Sequence, residues 1–371
     1  MLTRELLVIG AGPAGLAAAI EAAKNGVQDI LVCDLNMKAG GQLFKQIHKF
    51  FGSKEHNAGV RGIDQGVQML KEAEELGIEI WLNSAVVGFF GDKIACIEQG
   101  QPDGTKKIVY MQPKTIVIAT GAQENVVRFK GWTTPGVMGA GAAQTMINVN
   151  RVQPGKNIVM LGTGNVGLIV SYQLMQAGCN VVCIVEAAPG IGGYGVHASK
   201  VSRAGVPIYC SHTIKEVKGD GPDGRVSEVT IIGLDEKWQP IEGTEKTFEA
   251  DTVTLAAGLK PVSDLVKLQD IEIVFNNAFG WVPVHNDKMQ TTAKGIYVAG
   301  DTTGSEEANT AMEEGKLAGV SVAEELGYIT MDEAKDQRDQ IWDRLRGLRT
   351  GPFGEKRAIA KVVQMGKFPV D

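Results

Sequence analysis

One stretch, LLVIGAGPAGLAAAI (Leu6–Ile20), constrains the fold more than any other part of the 371-residue chain. A short apolar run rich in branched side chains ends at Gly10, and an alanine-rich run with helical spacing follows. The pattern predicts a strand, a tight turn and a helix. Each glycine has a physical job: Gly10 makes the turn, Gly12 lets the backbone approach a pyrophosphate, and Gly15 allows close helix–strand packing. The helix starts at Pro13-Ala14, so its free N–H groups and positive dipole end point at the phosphates. Asp34 closes the next apolar run, DILVCD, 19 residues after Gly15, where a ribose-binding carboxylate belongs. Strand, turn, helix and acid together predict a dinucleotide site where the glycines alone would be a weak signal.

The chain then repeats itself. After Asp34 comes NMKAGGQLFKQIHKFFGS, a loop rich in glycine, amide and aromatic side chains. GVRGIDQGVQMLKEAEELG reads as an amphipathic helix with Ile63, Val67, Leu70 and Ala73 on one face. IEIWLNSAVVGFF, KIACIEQ and KKIVYMQ predict a small antiparallel meander, and TIVIATGA a separate buried strand ending at Thr120-Gly121. NIVMLGTGNVGLIVSYQLMQAG is a second strand–turn–helix with Gly162, Gly164 and Gly167, its helix opening at Asn165-Val166. Glu186 ends the following strand, again 19 residues past the third glycine. A second meander and closing strand end at Gly258. Two units of one order predict two nucleotide-binding domains of similar topology.

Composition narrows the class. Apolar residues make up 44% and charged residues 22%, as in a globular domain, and a net charge of −6 gives no reason to expect nucleic acid or an anionic membrane as partner. No stretch is long and apolar enough to span a bilayer, and the N-terminal apolar run contains the glycine turn, which a signal peptide would not. Five cysteines (Cys33, Cys96, Cys179, Cys183, Cys210) lie mostly in strand-like runs and read as reduced, buried small hydrophobes of a cytoplasmic protein. His56, His197, His212 and His285 show no metal spacing. The last forty residues change character: a charged helix, DEAKDQRDQIWDRLRGLR, precedes a basic tail, docked, mobile or in contact with another polypeptide.

GAGPAGL, TIVIATGA and GIYVAGD together resemble the FAD-dependent pyridine nucleotide–disulfide oxidoreductases, and GGQL (Gly40–Leu43) is similar to the flavin loop of their thioredoxin reductase branch. The resemblance implies an α/β chain of two Rossmann-like domains, the NAD domain inserted into a discontinuous FAD domain: 1–124 and 262–328 for FAD, 125–261 for NAD(P)H, and 329–371 as the C-terminal helix and tail. It further implies FAD on Gly10, Gly12, Pro13, Ala14 and Gly15, with Asp34 on the adenosine ribose. Gly41, Gln42 and Leu43 would lie at the flavin edge. Thr120 and Gly121 would form the closing turn, Gly300 and Asp301 the ribityl contact, and the helix opening at Asn309-Thr310 would aim its N-terminus at the flavin. Gly162, Gly164, Asn165, Val166, Glu186 and Gly258 would hold the nicotinamide dinucleotide. A carboxylate at Glu186, with no arginine after it in EAAPGIGGYGVHASK, favours NAD(H) over NADP(H).

The family's redox Cys-x-x-Cys is missing: the corresponding region reads GVMGAGAAQTMIN, so a disulfide relay is not expected. GWTTPGVMGAGAAQTM instead looks like the α subunits of heteromeric amino-acid oxidases and dehydrogenases such as sarcosine oxidase, proline dehydrogenase and hydrogen cyanide synthase. That resemblance implies partner subunits or a homo-oligomer. An iron–sulfur or amine-oxidising centre would sit on another polypeptide, since no cysteine follows Cys210. The expected activity is oxidation of NADH with electrons passed through the flavin to a protein or small acceptor. The alternatives are an electron-transfer subunit with a silent nicotinamide site, or a dinucleotide sensor. Lys45 and His48 are candidates for stabilising a reduced flavin or relaying a proton; an exposed lysine and a turn-capping histidine are the plainer readings.

Overall fold

The computed structural model describes residues 1–50 and 52–368, so Phe51 of the loop after Asp34 and the last three residues of the tail lie outside it. Two compact units emerge, Met1–Gln123 with Lys260–Asp371, and Glu124–Leu259. Both are mixed α/β.

In the first unit, strands Glu79–Trp81, Ile30–Cys33, Leu2–Ile9 and Lys106–Ile118 lie side by side and parallel, with Ile296–Val298 parallel to the last. Alternation divides each strand between two cores. Leu6, Val8, Ile30, Val32 and Val117 meet the helices on one face; Leu7, Ile9, Leu31, Ile116 and Ile118 meet Val86, Ile97 and Met111 of the meander on the other. Burial on both faces explains why these strands read as unbroken apolar runs.

The meander and the closing strand are one element, not two. Lys106–Ile118 pairs antiparallel with Ile94–Gly100 through Met111 and parallel with Leu2–Ile9 through Ile118. Pro113 lies past the last antiparallel pair, where its missing N–H costs no ladder bond on that side. The helix Gly62–Glu75 also departs from expectation. It buries Gln65, Gly66, Met69 and Ala73, while Val67 is 56% exposed. The inward face is set by Gly66, whose added Cβ would stand 3.3 Å from Leu43 Cβ: absence of a side chain lets this helix sit on the GGQL turn.

The helices Pro13–Lys24 and Ala308–Glu325 pack in the same sense. A Cβ on Gly315 would lie 2.2 Å from the Ala14 carbonyl oxygen, and one on Gly319 2.4 Å from that of Ala18. Their N-termini therefore open at the same end of the sheet.

The second unit repeats the plan, with parallel strands ordered Ile208–Tyr209, Asn180–Val185, Asn157–Leu161, Thr252–Leu255 and Val137–Gly139. Val159, Leu161, Val253 and Leu255 pack on a separate three-stranded antiparallel sheet through Ile214, Val217, Val229 and Ile231. Here the closing strand stays distinct from the meander. Cys183 lies inside Asn180–Val185 and Cys179 just before it, both buried.

Gly315→Ala forces a methyl into backbone that has no room to yield, so it should lower the unfolding free energy by about 1–3 kcal/mol despite alanine's better helix propensity. Gly347, exposed in the helix Met331–Leu348 with nothing within 4 Å of an added Cβ, supplies the contrast. Gly347→Ala should be neutral or stabilising by up to about 1 kcal/mol in the same urea titration.

Candidate functional site: two glycine turns and the flavin-side loops

The first turn is built as its glycines require. Gly10 has φ +107°, and a Cβ on Gly15 would stand 1.8 Å from the Gly10 carbonyl oxygen. Around Gly12 an added Cβ would meet nothing within 4 Å, so the turn faces open space beside its backbone. The helix begins at Pro13 with no side-chain cap and no acid in its first turn, leaving Ala14 and Gly15 at an uncapped positive end.

Asp34 is buried and holds this turn directly. Its Oδ2 accepts the Ala11 N–H at 2.7 Å, and its Oδ1 accepts both N–H groups of Asn36 at 2.8 Å. The GGQL loop closes on the same turn. Gly40 donates its N–H to the Ala11 carbonyl at 2.7 Å, and a Cβ on Gly41 would reach within 2.8 Å of Gly12 Cα. Leu43 is buried beneath it and Gln42 is exposed. Lys45 ends the 3-10 turn Gly41–Lys45, and His48, half-buried, has its ring centroid 6.5 Å from that of Phe50.

The 300s segment completes the edge. Gly300 (φ +70°) packs its Cα face on Ala14, and Asp301 accepts the Glu306 N–H at 3.3 Å. Gly121 (φ +73°) donates to Thr302 Oγ1 at 3.0 Å, and Thr120 donates its hydroxyl to the Val262 carbonyl at 2.7 Å. Asn309 and Thr310 are buried in the first turn of the helix Ala308–Glu325. In this unit the predicted FAD residues thus gather where the parallel strands end, the crevice such sheets offer to ligands. Burial pushes the Asp301 carboxyl up to about 6, opposed by the Glu306 N–H hydrogen bond and by the charge of Lys361.

The second turn matches the first in detail. Gly162 has φ +106°, a Cβ on Gly167 would stand 2.1 Å from the Gly162 carbonyl oxygen, and Gly164 has nothing within 4 Å. Glu186 Oε2 accepts the Thr163 N–H at 2.8 Å and its hydroxyl at 2.5 Å, the counterpart of Asp34 on Ala11. Asn165 Oδ1 accepts the Tyr194 N–H at 2.9 Å, Val166 is exposed beside it, and Gly258 (φ +85°) takes the Asn125 N–H on its carbonyl. Gly192 donates to Thr163 Oγ1 at 2.9 Å, so a glycine pair closes on this turn as GGQL does on the first. The sequence carries that signal: Gly162, Gly164, Gly167, Glu186, Gly192 and Gly193 each stand 152 positions after Gly10, Gly12, Gly15, Asp34, Gly40 and Gly41.

The thiols do not suit a relay. All five cysteines are free, and burial pushes the Cys33 and Cys183 thiols up to about 12. In the cysteine-free GVMGAGAAQTMIN segment, Gln144 and Asn148 donate to Gln173 Oε1 at 2.9 and 3.0 Å. Among the described residues no group of three or more His, Cys, Asp and Glu can hold a metal ion, and no helix is long and apolar enough to cross a membrane.

A family profile described as pyridine nucleotide-disulphide oxidoreductase matches residues 4–315. The chain belongs to that family. It is thereby an oxidoreductase with the flavoprotein fold. It is 26% identical to the HcnB polypeptide of hydrogen cyanide synthase from Pseudomonas aeruginosa, over 95% of this chain and 77% of that one. It is 29% identical to an opine oxidase subunit from Agrobacterium tumefaciens, over 88% of this chain and 66% of that one. Among solved structures it is similar to thioredoxin reductase of T. acidophilum (TM-score 0.71, 20% identity, 88% of this chain and 99% of that one). It is also similar to L-proline dehydrogenase of P. horikoshii (TM-score 0.67, 20% identity, 92% and 59%). At such identity these two structures speak for the fold alone.

Asp301 gives a pH prediction. Its carboxyl lies above the ordinary 3.8 in the folded chain, so holding it ionised costs stability. That cost is absent below about pH 4 and grows as pH rises through about 6. In urea unfolding without added cofactor, Asp301→Asn should gain on the natural protein by about 2–3 kcal/mol between pH 4 and 7. A gap that stays constant with pH would contradict the assignment.

Proposed function

We propose that this protein binds FAD in the first unit and NADH in the second, oxidises NADH, and passes the electrons to a protein or small-molecule acceptor without a disulfide relay. The observation that carries this reading is the pair of acid-held glycine turns, Asp34 on the Ala11 N–H and Glu186 on the Thr163 N–H. Both turns fit a pyrophosphate: open space lies beside Gly12 and Gly164, and each following helix starts uncapped.

FAD, when bound, supplies the hydride acceptance and electron transfer. The chain's part is to hold and orient. Asp34 offers its remaining acceptor capacity to the adenosine ribose while fixing the turn. Asp301 would take the ribityl side of the group, and the N-terminus of Ala308–Glu325 would favour negative charge at the flavin. Glu186 suits a free ribose 2′-hydroxyl and repels a 2′-phosphate, which favours NADH. Gln42, Lys45 and His48 lie on the loop that would border the flavin.

The relatives' names describe subunits of hydrogen cyanide synthase and opine oxidase, so we extend the reading to a subunit that works with partner polypeptides. A second reading has one observation in its favour. A Cβ on Gly193 would stand 3.0 Å from the Asn165 N atom, so the Gly192-Gly193 loop lies close over the second turn. In that reading the nicotinamide site is silent and the flavin serves an amine-oxidising partner.

Anaerobic mixing of the FAD-loaded protein with NADH should bleach the flavin band, and NADPH should do so more slowly at equal concentration. No bleaching by either nucleotide would favour the silent site. Glu186→Ser, which strips the acceptor from the Thr163 N–H, should weaken NADH binding at least tenfold and narrow its advantage over NADPH. FAD content should stay unchanged, because Asp34 holds the other turn.

A further inference from the structure

The helix Gly351–Met365 is turned opposite to what hydrophobicity demands. Ile359, Val362 and Val363 form a stripe at helical spacing and are 66%, 62% and 59% exposed, while Lys361 is 2% exposed and Gln364 is fully buried. Burial of apolar side chains therefore did not choose this orientation. Polar contacts did: Gln364 donates to the Pro283 carbonyl at 2.6 Å, and the Ala360 carbonyl accepts from Asn276 at 3.0 Å. Above all, Lys361 enters a buried cluster behind Gly300-Asp301.

In that cluster each Glu314 oxygen has a separate task. Oε1 takes the cations: Lys361 Nζ at 2.9 Å and Arg349 Nη2 at 2.6 Å. Oε2 takes the turn: the Gly300 N–H at 3.0 Å and the Thr303 hydroxyl at 2.9 Å. Arg349 also grips Glu306 with two bonds of 2.7 and 3.0 Å, and Lys361 bonds Thr303 directly. Burial alone would push the Glu314 carboxyl up, but Lys361 and Arg349 outweigh it and hold the group ionised. A buried ion network contributes little net stability, yet removing one member leaves an uncompensated charge. Its value here lies in geometry.

We propose that the helix Gly351–Met365 is a working part of the flavin site, with Lys361 and Arg349 as positioning residues that fix Glu314 so that it holds the Gly300–Thr303 turn against FAD. This rests on the assignment of FAD to the first unit. Its consequence is that the last helix governs both the affinity and the potential of the flavin. Lys361 places a positive charge behind the turn, and that charge favours the reduced flavin.

The test uses the full chain loaded with FAD, and reads the FAD dissociation constant and the two-electron midpoint potential of the bound flavin. Lys361→Met should weaken FAD at least tenfold. It should also cut the preference for the reduced over the oxidised flavin about tenfold, which is about 30 mV toward negative values. Lys361→Arg should retain both quantities within threefold. The double variant Lys361→Met with Glu314→Gln keeps the cluster's net charge, so its potential should return toward that of the natural protein while its affinity stays weakened. If Lys361→Met does not fold, the double variant supplies the reading. Natural affinity and potential in Lys361→Met, or natural affinity in the double variant, would overturn the proposal. A lower melting temperature with both flavin quantities unchanged would overturn it too. A natural protein that takes up no FAD would instead overturn the assignment on which the proposal rests.

Discussion

The first unit depends on one close approach, the helix Ala308–Glu325 lying on Pro13–Lys24 at the distance only glycine permits. Gly315 and Gly319 meet the carbonyl oxygens of Ala14 and Ala18, and no side chain separates the two backbones. That contact joins the start of the chain to a segment some three hundred residues later. It sets the N-termini of two helices at one end of the sheet, where Gly12, Asp34, Gly41 and Gly300 also stand. A flavin dinucleotide is long and carries its negative charge at the middle, so two uncapped helix starts at one edge suit it better than one.

Charge buried behind that edge is the second constraint. Glu314 is enclosed on a helix otherwise rich in alanine, glycine and aliphatic side chains, and it is tolerable there only because Lys361 and Arg349 reach it from the C-terminal segment. Burying the rest of the Ile359, Val362 and Val363 stripe instead would be worth roughly 1–2 kcal/mol per side chain. The chain forgoes that gain, which shows how strongly the ion cluster constrains the last helix. The same lysine pulls Asp301 down against the effect of burial. One side chain thus touches both the shape and the charge of the turn.

The two glycine turns solve one problem twice. An acid, buried in Asp34 and half-buried in Glu186, accepts the N–H of the residue between the first two glycines, and a second pair of glycines closes from the loop beyond the acid. Acid and turn rigidify each other, since the carboxylate is held by the backbone N–H it accepts. Where the units differ is in the closing strand. In the first it continues the meander without a break as Lys106–Ile118; in the second the three-stranded sheet is separate.

The family, the two glycine turns and the acids that hold them were legible in the chain, because each depends on residue type at short spacing. Gly10 needs a positive φ, Gly15 needs contact with the turn beneath it, and Asp34 needs only the strand that ends at it. Which face of Gly62–Glu75 turns inward was not legible: Val67 fits the apolar pattern, but the close contact of Gly66 with Leu43 decides the rotation. The expected separation of KKIVYMQ from TIVIATGA failed for a similar reason, since only the neighbouring strands reveal that one strand runs through both. The C-terminal helix was least legible of all. Its sequence shows an apolar stripe and a lysine, and nothing local says that the lysine goes in and the stripe stays out. Glu306 and Glu314 decide that from dozens of residues away, because a buried carboxylate must find a cation wherever the chain supplies one.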